Sequence, residues 1–270
     1  MNGTRVRAGL GRDFSLWLPR RVDRDAMPDQ QNEIKLEREF AEAYVPVREY
    51  TMVDWERCYS VWNSLNYVLN AGIPGALVEC GVWKGGICML MANSLRAKGV
   101  TDRDLYLYDT FAGMVEPTER DVSFSGEAAH AKWQQSRQAD HNTWCYAPLE
   151  EVQQNLASTG YDIGRCRFVQ GKTQDTLPAT VPDQIALLRL DTDWYESTYH
   201  ELTHLYPRLA PGGVIIFDDA YFWHGQRMAL ERYFEEQGIA LCLNRIGISS
   251  VAVKSLPYGL SKAERQRAAA

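Results

Sequence analysis

Apolar residues recur along this chain with two alternating periods. Between residues 55 and 69 they fall every three or four positions and Gly72 follows, which predicts an amphipathic helix with a glycine stop. From residue 75 onward, short apolar runs alternate with further segments of helical period. The short runs predict strands at 75–82, 104–111, 166–171, 185–191, 212–219, 239–246 and 249–255. The segments between them predict helices at 86–99, 149–159, 195–209 and 225–238.

This alternation predicts a mostly parallel α/β sheet with helices on both faces, because parallel neighbours need a crossover connection. The last two strands are joined by a few residues around Gly247, which is too short for such a crossover, so they are expected to form an antiparallel hairpin. Residues 1–45 are polar and charged and predict an N-terminal arm that serves as a lid or a subunit contact. Residues 46–270 predict a single domain.

The polar interval 115–148 is longer than an ordinary connection between secondary-structure elements. It carries Phe124, Trp133, Trp144 and Tyr146. These aromatic residues suit a wall over a large, partly apolar ligand, and they equally suit a surface excursion that packs only on itself. The sequence leaves both alternatives open.

Composition and charge argue against a nucleic-acid-binding, membrane-spanning or secreted protein. The formal net charge is −6, so no overall basic field exists to attract nucleic acid. No apolar run approaches the roughly 20 residues that cross a bilayer, and the N-terminus lacks the apolar segment of a secretory signal. The six cysteines are scattered without a C-x-x-C pair, as expected for reduced thiols. We therefore expect a cytoplasmic protein with neither a membrane nor a nucleic acid as its partner.

In a doubly wound sheet, ligands bind beyond the carboxyl ends of the strands. The first predicted strand ends in VECGVWKGG, where Gly81 and Gly86 let the backbone approach a ligand and Glu79 adds a carboxylate. The second ends in Asp109, followed by Thr110, at a position suited to the ribose hydroxyls of a nucleoside. An acid ahead of the glycines suits a sulfonium better than a pyrophosphate, so we expect S-adenosylmethionine. The alternative is that the glycines only turn a loop and Asp109 only caps the segment after it.

Residues 200–204 match the H-E-x-x-H pattern of zinc peptidases. On a helix with about 100° per residue, however, His200 and His204 fall on the face opposite the apolar stripe around Leu202. A zinc site needs both rings turned into a cleft, with Glu201 beside them and a third ligand nearby. The pair is therefore expected to face solvent or a neighbouring subunit, and zinc hydrolysis is disfavoured.

The aspartates indicate a different metal. Asp191 ends the fourth predicted strand, and Asp218 and Asp219 end the fifth, so their carboxylates should meet at one edge of the sheet. Clustered oxygen ligands suit Mg²⁺. Asp193 lies in the loop two residues beyond Asp191, where a general base for an acceptor hydroxyl is expected. Alternatively, one aspartate caps a helix and another pairs with an arginine such as Arg189.

Five stretches resemble the macrocin O-methyltransferase (TylF-like) family, which includes sugar O-methyltransferases of macrolide and aminocoumarin pathways. They are YTMVDWERC, VECGVWKGG, LYLYDTFAGM, VQGKTQDTLP and LRLDTDWYESTYHELTHLYPRLAPGGVIIFDD, between about residues 48 and 255. The resemblance implies an α/β, Rossmann-like class I methyltransferase fold with a mostly parallel seven-stranded sheet and an antiparallel C-terminal strand. It also implies an Mg²⁺- and S-adenosylmethionine-dependent O-methyltransferase. The expected acceptor is a sugar hydroxyl of a glycosylated natural product in antibiotic biosynthesis.

The matched motifs imply roles for individual residues. The metal ligands would be Asp191, Asp218 and Asp219, and Asp193 would be the base. The cofactor contacts would be Thr51, Met52, Glu79 and Gly81 at the methionine end, Asp109 at the ribose, and Gly86 and Thr110 beside them.

The segment AYFWHGQRMA after the paired aspartates departs from the short Tyr-Gly segment common in the family, so the acceptor does not transfer by resemblance. His224 in this segment is a second candidate base, ranked behind Asp193, because its unperturbed pKa lies near neutrality. We expect a small-molecule glycoside as acceptor and a homo-oligomer as the assembly. The alternatives are a catechol-type O-methyltransferase acting on a phenol, a zinc hydrolase and a non-catalytic nucleoside-binding protein.

Overall fold

The computed structural model describes residues 38–255 of the 270-residue chain. Its strands are β1 (Ala76–Cys80), β2 (Leu105–Asp109), β3 (Cys166–Gln170), β4 (Ile185–Leu190), β5 (Leu209–Phe217), β6 (Asn244–Ile246) and β7 (Ser249–Val253). Its α-helices are α1 (Arg38–Tyr44), α2 (Trp55–Asn70), α3 (Gly86–Ala97), α4 (Ala129–Gln135), α5 (Leu149–Ser158), α6 (Thr173–Thr176), α7 (Tyr195–Leu205) and α8 (His224–Glu236). Short 3₁₀ helices cover Val45–Tyr50, Ile163–Arg165 and Tyr206–Arg208.

The strands form one seven-stranded sheet in the spatial order β3-β2-β1-β4-β5-β7-β6. All neighbours from β3 to β5 are parallel, whereas β7 runs antiparallel to both β5 and β6. The predicted sheet, mostly parallel with an antiparallel C-terminal strand, is confirmed. The central strands β1 and β4 are buried at every position, as expected where helices cover both faces.

The ends of α7 and β5 differ from the prediction. The α-helix stops at Leu205 and continues as a 3₁₀ helix that contains Pro207, because proline lacks the N–H that an α-helix interior needs. The strand β5 then begins at Leu209, three residues before the predicted start. β6 pairs over only three residues, and the apolar residues ahead of it pack against the core without joining the sheet. An apolar run alone does not distinguish these two ways of burying side chains.

The packed body begins before the predicted domain start at residue 46. Phe40 in α1 is 0 % exposed, and its ring centroid lies 5.2 Å from that of Tyr59 and 5.7 Å from that of Trp62. The end of the predicted arm is therefore a core element. Residues 1–37, the rest of that arm, lie outside the described residues.

Two sequence expectations about composition can be compared with the structure. No helix within residues 38–255 combines the length and apolar character that a bilayer crossing requires. All six cysteines carry free thiols, as expected. Four of them are buried, namely Cys58, Cys80, Cys88 and Cys166.

Candidate active site

Backbone strain concentrates at the carboxyl ends of the strands. Trp83, Phe111 and Asp193 have positive φ angles of 47°, 51° and 67°, and they lie in the loops after β1, β2 and β4. Residues other than glycine rarely adopt this left-handed region, and those that do cluster at functional sites. The strain therefore marks the same edge of the sheet that the sequence predicted to bind ligands.

Three carboxylates meet beyond β4 and β5. Ligand oxygens of Asp191, Asp193 and Asp219 lie within 4.8 Å of one another, the only such group of three or more potential metal ligands in residues 38–255. Burial, reinforced by the charge of Asp191, raises the pKa of Asp193 to about 8. Burial and acidic neighbours also hold the pKa values of Asp191 and Asp219 well above their usual range. This carboxylate cluster offers the oxygen donors and the negative charge that suit Mg²⁺.

Asp218 belongs to a different set of contacts. Its carboxylate accepts a hydrogen bond from Arg57 at 2.7 Å, pairs with Arg189 at 2.7 Å and accepts from the Ser249 hydroxyl at 3.1 Å. Burial alone would raise the pKa of Asp218, but the two arginines outweigh it and lower the pKa. The sequence placed Asp218 among the metal ligands, whereas the structure holds it with two arginines and brings Asp193 into the carboxylate cluster.

Arg189 explains how so many acids pack together. Its side chain is 1 % exposed and pairs with Glu79, with Asp191 at 2.8 Å and with Asp218. Glu79 also accepts a hydrogen bond from the Cys88 thiol at 2.8 Å, so it faces this network directly, and its contact with a cofactor stays a prediction. Sequence analysis considered Arg189 only as a partner for one aspartate. The available signal was a charge inside an apolar strand, which must be paired once it is buried.

Gly81 and Gly86 allow close packing of the loops around β1. Gly81 has a φ of 84°, and a Cβ there would lie 2.0 Å from the carbonyl oxygen of Asp191. A Cβ on Gly86 would lie 2.7 Å from the Cβ of Thr51. Gly81 therefore lets the loop after β1 (the glycine loop) lie directly against the loop after β4 that carries Asp191 and Asp193 (the aspartate loop). Gly86 brings Thr51 and the exposed Met52 next to the start of α3.

Asp109 holds the ends of β1 and β2 together. Its Oδ2 accepts hydrogen bonds from the backbone N–H groups of Val82 at 2.6 Å and Trp83 at 3.1 Å. Its Oδ1 accepts from the N–H of Phe111 at 2.8 Å, and the Thr110 hydroxyl lies 3.4 Å from the same oxygen. Burial raises the pKa of Asp109, and these hydrogen bonds oppose the rise. The carboxylate thus performs the capping role that the sequence offered as the alternative, and its contact with a ribose stays a prediction.

A cavity lies between the carboxyl ends of β1 to β4. Gly81, Asp109 and Thr110 border it from the first two strand ends, and Asp191 and Thr192 border it from the fourth. Because Asp191 belongs to both, the predicted nucleoside site and the carboxylate cluster are adjacent. A wider groove of about 690 Å³ lies at the opposite edge of the sheet, by the amino ends of β1, β2 and β4. Trp83, Phe111, Asp193 and the carboxylate cluster lie at the carboxyl edge, so we identify the cavity at that edge as the candidate active site.

The H-E-x-x-H residues of α7 do not form a three-ligand metal site within residues 38–255. The rings of His200 and His204 lie 4.4 Å apart at half-exposed positions, and His200 Nε2 lies 3.2 Å from the carbonyl oxygen of Leu177. Glu201 is directed elsewhere, since it is fully buried and accepts a hydrogen bond from the Thr192 hydroxyl at 3.0 Å. Glu201 therefore supports the wall of the cavity, a role the sequence analysis missed.

The buried carboxyl of Glu201 predicts a pH-dependent stability. Burial raises its pKa to about 7, against hydrogen bonds from Thr192 and Thr173. An unfolded glutamate titrates near ~4.3, so between these values the folded state binds a proton that the unfolded state has lost, and stability falls as pH rises. Glu201→Gln removes this loss. We expect the variant to exceed the wild type by roughly 2 kcal/mol in urea unfolding near pH 8, with the difference shrinking towards about pH 4.

Glu196→Gln is the matched control for this experiment, because Glu196 is exposed on the same helix. Between about pH 5 and pH 8 it should differ from the wild type by a constant amount of no more than about 1 kcal/mol, because its ion pair with Arg120 is exposed. Equal pH slopes for the wild type and for Glu201→Gln would contradict the raised pKa of Glu201.

The long polar interval packs on the body of the protein instead of only on itself. Its Trp144 forms a cluster with Trp194 and Trp223, with ring centroids 5.6, 6.2 and 5.0 Å apart; we call these three residues the tryptophan cluster. Phe124, also from the interval, stacks on the ring of His224 at a centroid distance of 4.1 Å. His224 is exposed and is not part of the carboxylate cluster. The interval therefore packs against residues that follow the aspartates of β4 and β5, namely Trp194, Trp223 and His224.

Known proteins resemble this chain over most of its length. Residues 16–255 match the family model described as Macrocin-O-methyltransferase (TylF). The 8-demethyl-8-(2,3-dimethoxy-alpha-L-rhamnosyl)-tetracenomycin-C 4'-O-methyltransferase of Streptomyces olivaceus is 38% identical over 195 residues, which are 72% of this chain and 71% of the relative. The Mycinamicin III 3''-O-methyltransferase of Micromonospora griseorubida is 34% identical over 203 residues, which are 75% of this chain and 77% of the relative.

A solved structure is similar as well. The O-methyltransferase NovP matches with a TM-score of 0.67 at 31% sequence identity, covering 81% of this chain and 89% of NovP. The likeness in sequence and in structure therefore extends over most of both chains.

Proposed function

The chain belongs to the macrocin O-methyltransferase (TylF) family, and on that premise we propose that it methylates a sugar hydroxyl of a glycosylated natural product in antibiotic biosynthesis. Family membership makes it an S-adenosylmethionine-dependent O-methyltransferase, and its fold is the class I methyltransferase fold that the sequence predicted. Two relatives are named for methylating a rhamnosyl tetracenomycin and mycinamicin III. A small-molecule glycoside is the acceptor class that these relatives support for this chain.

Dependence on Mg²⁺ is part of the proposal, and the carboxylate cluster is the observation that carries it. Asp219 is buried, and Asp191 and Asp193 are half-buried beside it, so the three carboxylates repel one another, and a divalent cation would remove this repulsion. We assign Asp191 and Asp219 as cation ligands. Asp218 remains the third ligand implied by the family resemblance, although two arginines hold it, and Asp193 is close enough to take that place. The variants that separate these two assignments are described in the Discussion.

We propose that S-adenosylmethionine occupies the cavity between the ends of β1 to β4. Asp109 and Thr110 would lie at its ribose, because both border this cavity. The methionine end of the cofactor would lie along the glycine loop, beside Gly81 and Gly86 and the segment 51–52 next to Gly86. The remaining contacts proposed there are Thr51, Met52 and, from the buried network, Glu79.

When bound, Mg²⁺ supplies positive charge that lowers the pKa of an acceptor hydroxyl, and S-adenosylmethionine supplies the methyl group. Asp193 accepts the hydroxyl proton on its carboxylate. Burial and the neighbouring Asp191 raise the pKa of Asp193 in the absence of a cation, and a bound cation would lower it again, so the role as base rests on the position of Asp193 beside Asp191 and Asp219. Trp223 of the tryptophan cluster hydrogen-bonds to the carboxylate of Asp193 and so helps to orient it. His224 stacks on Phe124 outside the carboxylate cluster and therefore ranks behind Asp193 as the base.

The purified protein tests the proposal directly. Methylation is measured on a panel of glycosides and their matching aglycone catechols, with S-adenosylmethionine as methyl donor, in the presence of EDTA or of Mg²⁺. We expect methylated glycosides, unmodified aglycones, loss of activity in EDTA and recovery on addition of Mg²⁺. Methylation of catechols but not of glycosides would instead support a catechol-type enzyme. Activity that is indifferent to EDTA would refute the Mg²⁺ assignment.

A further inference from the structure

Asp121 is a buried acid of the long interval whose contacts reach two other elements. Its side chain is 1 % exposed, and its Oδ2 accepts hydrogen bonds from the backbone N–H of Thr118 at 2.6 Å and from the Thr118 hydroxyl at 2.9 Å. Its backbone carbonyl accepts from the N–H of Ala129 at 3.1 Å. Through its carboxylate and its backbone carbonyl, Asp121 therefore holds both ends of the segment 118–129.

The other oxygen of this carboxylate caps α7. Asp121 Oδ1 accepts a hydrogen bond from the backbone N–H of Tyr195, the first residue of the helix, at 2.8 Å. Trp194, at the N-cap position, makes no side-chain capping bond, so Asp121 supplies the cap from 74 residues away in the sequence. A carboxylate at this end of a helix satisfies a free N–H and interacts favourably with the helix dipole. The strained residue Asp193 lies two positions before Tyr195, so the cap also fixes the end of the aspartate loop.

The first turn of α8 closes on the same carboxylate. A Cβ on Gly225 would lie 2.0 Å from Asp121 Oδ1 and 3.0 Å from the backbone nitrogen of Tyr195. Close by, the N–H of His224 donates to the carbonyl oxygen of Val122 at 2.9 Å. The interval, the start of α7 and the start of α8 therefore meet at one point with no free space between them.

We propose that Asp121 is a positioning residue that couples the acceptor-side segment 118–129 to the loop carrying Asp191 and Asp193. The same carboxylate holds the first turn of α7, which follows the proposed base, and the segment that leads to Phe124 and the tryptophan cluster. The acceptor-side segment is thereby linked to the loop that carries Asp193 by a direct, buried carboxylate contact. The acceptor part of this inference rests on the proposed function, whereas the coupling itself rests only on the contacts of Asp121.

Two variants break this contact from opposite sides. Asp121→Asn keeps the shape of the side chain but replaces one of its two accepting oxygens with an amide donor, so the N–H group that faces this atom loses its acceptor. Gly225→Ala leaves Asp121 intact and inserts a methyl group where a Cβ would lie 2.0 Å from Oδ1. Glu119→Gln is the matched control, since Glu119 is exposed two residues before Asp121. Each variant is studied in the full chain.

Amide hydrogen exchange measures the coupling without any acceptor. We expect both variants to exchange faster than the wild type at the first turn of α7 and across 118–129 together, with unchanged exchange in β1 and β4. Glu119→Gln should match the wild type. Faster exchange in only one of the two regions, or in the whole domain equally, would overturn the proposal.

Kinetics and binding separate positioning from general destabilisation. We expect kcat/KM for the acceptor to fall roughly 10²-fold in both variants, as for a small misplacement of a catalytic group, while the Kd for S-adenosylmethionine changes less than about threefold. A parallel loss of cofactor affinity, or an unchanged kcat/KM, would overturn the proposal. If exchange shows the coupling but no glycoside is methylated by the wild type, the proposed acceptor is wrong and the coupling stands.

Discussion

Asp219→Asn is expected to lower methyl transfer at least about 10³-fold and, in the absence of metal, to make the protein more stable. The loss of activity follows because a cation that polarises the acceptor contributes several kcal/mol to catalysis. The gain in stability follows because Asp219 lies buried beside Asp191 and Asp193, so the amide removes a repulsive charge. Methylation assays and thermal unfolding in EDTA and in Mg²⁺ measure the two effects.

The wild type provides the comparison for this experiment. Mg²⁺ should raise the unfolding temperature of the wild type, because a ligand that binds only the folded state stabilises it. It should have little effect on Asp219→Asn. An Asp219→Asn variant that is as active as the wild type, or that Mg²⁺ stabilises equally, would remove Asp219 from the site.

The same assays decide between Asp193 and Asp218 as the third ligand. If Asp193 is the base, Asp193→Asn loses turnover but keeps the affinity for Mg²⁺, and Asp218→Asn weakens that affinity. If Asp193 is the third ligand, the two variants behave in the opposite way towards Mg²⁺. We expect the first result, since the loop position of Asp193 suits a base. Near wild-type turnover of Asp193→Asn would exclude both roles.

The fold was predictable because each apolar run is short, local and set apart by helical segments or turns. The site was predictable as far as it depends on strand ends: Asp191 and Asp219 follow neighbouring parallel strands, and they do meet. The place of Asp193 in the carboxylate cluster could not be predicted from the sequence. It depends on a left-handed φ of 67°, which residue spacing does not reveal.

The charged network beneath the site was not predictable, because it depends on strand register. Glu79 of β1 and Arg189 of β4 are direct neighbours across the sheet, although 110 residues separate them in sequence. Both strands are buried at every position, so their periodicity carries no information about which residues face each other. Asp121 was missed for a similar reason, since nothing in a polar interval marks one acid as the cap of a distant helix.

Arg189→Met is expected to be the most destabilising substitution near the site. Arg189 is 1 % exposed and faces Glu79, Asp191 and Asp218, so its removal leaves buried carboxylates without their cation. Removing one partner from a buried ion pair typically costs about 3–5 kcal/mol. Arg165→Met is the control, because Arg165 pairs with Asp104 at the surface and should lose about 1 kcal/mol or less.

The pH dependence separates this explanation from a simple loss of packing. Burial raises the pKa of Glu79 and Arg189 opposes that rise, so the variant should raise the pKa further. A folded-state pKa above the unfolded value means that stability falls as pH rises from the unfolded pKa. For Asp218, burial is outweighed by the arginines and the pKa is lowered, so the wild type gains stability above the unfolded pKa, and the variant loses much of that gain. The Glu79 effect predicts a deficit in urea unfolding that grows from about pH 4 towards pH 7. The Asp218 effect is already present near pH 4 and disappears only as pH falls towards the lowered pKa of Asp218. A deficit of the same size at every pH would show that Arg189 contributes through packing and not through its charge.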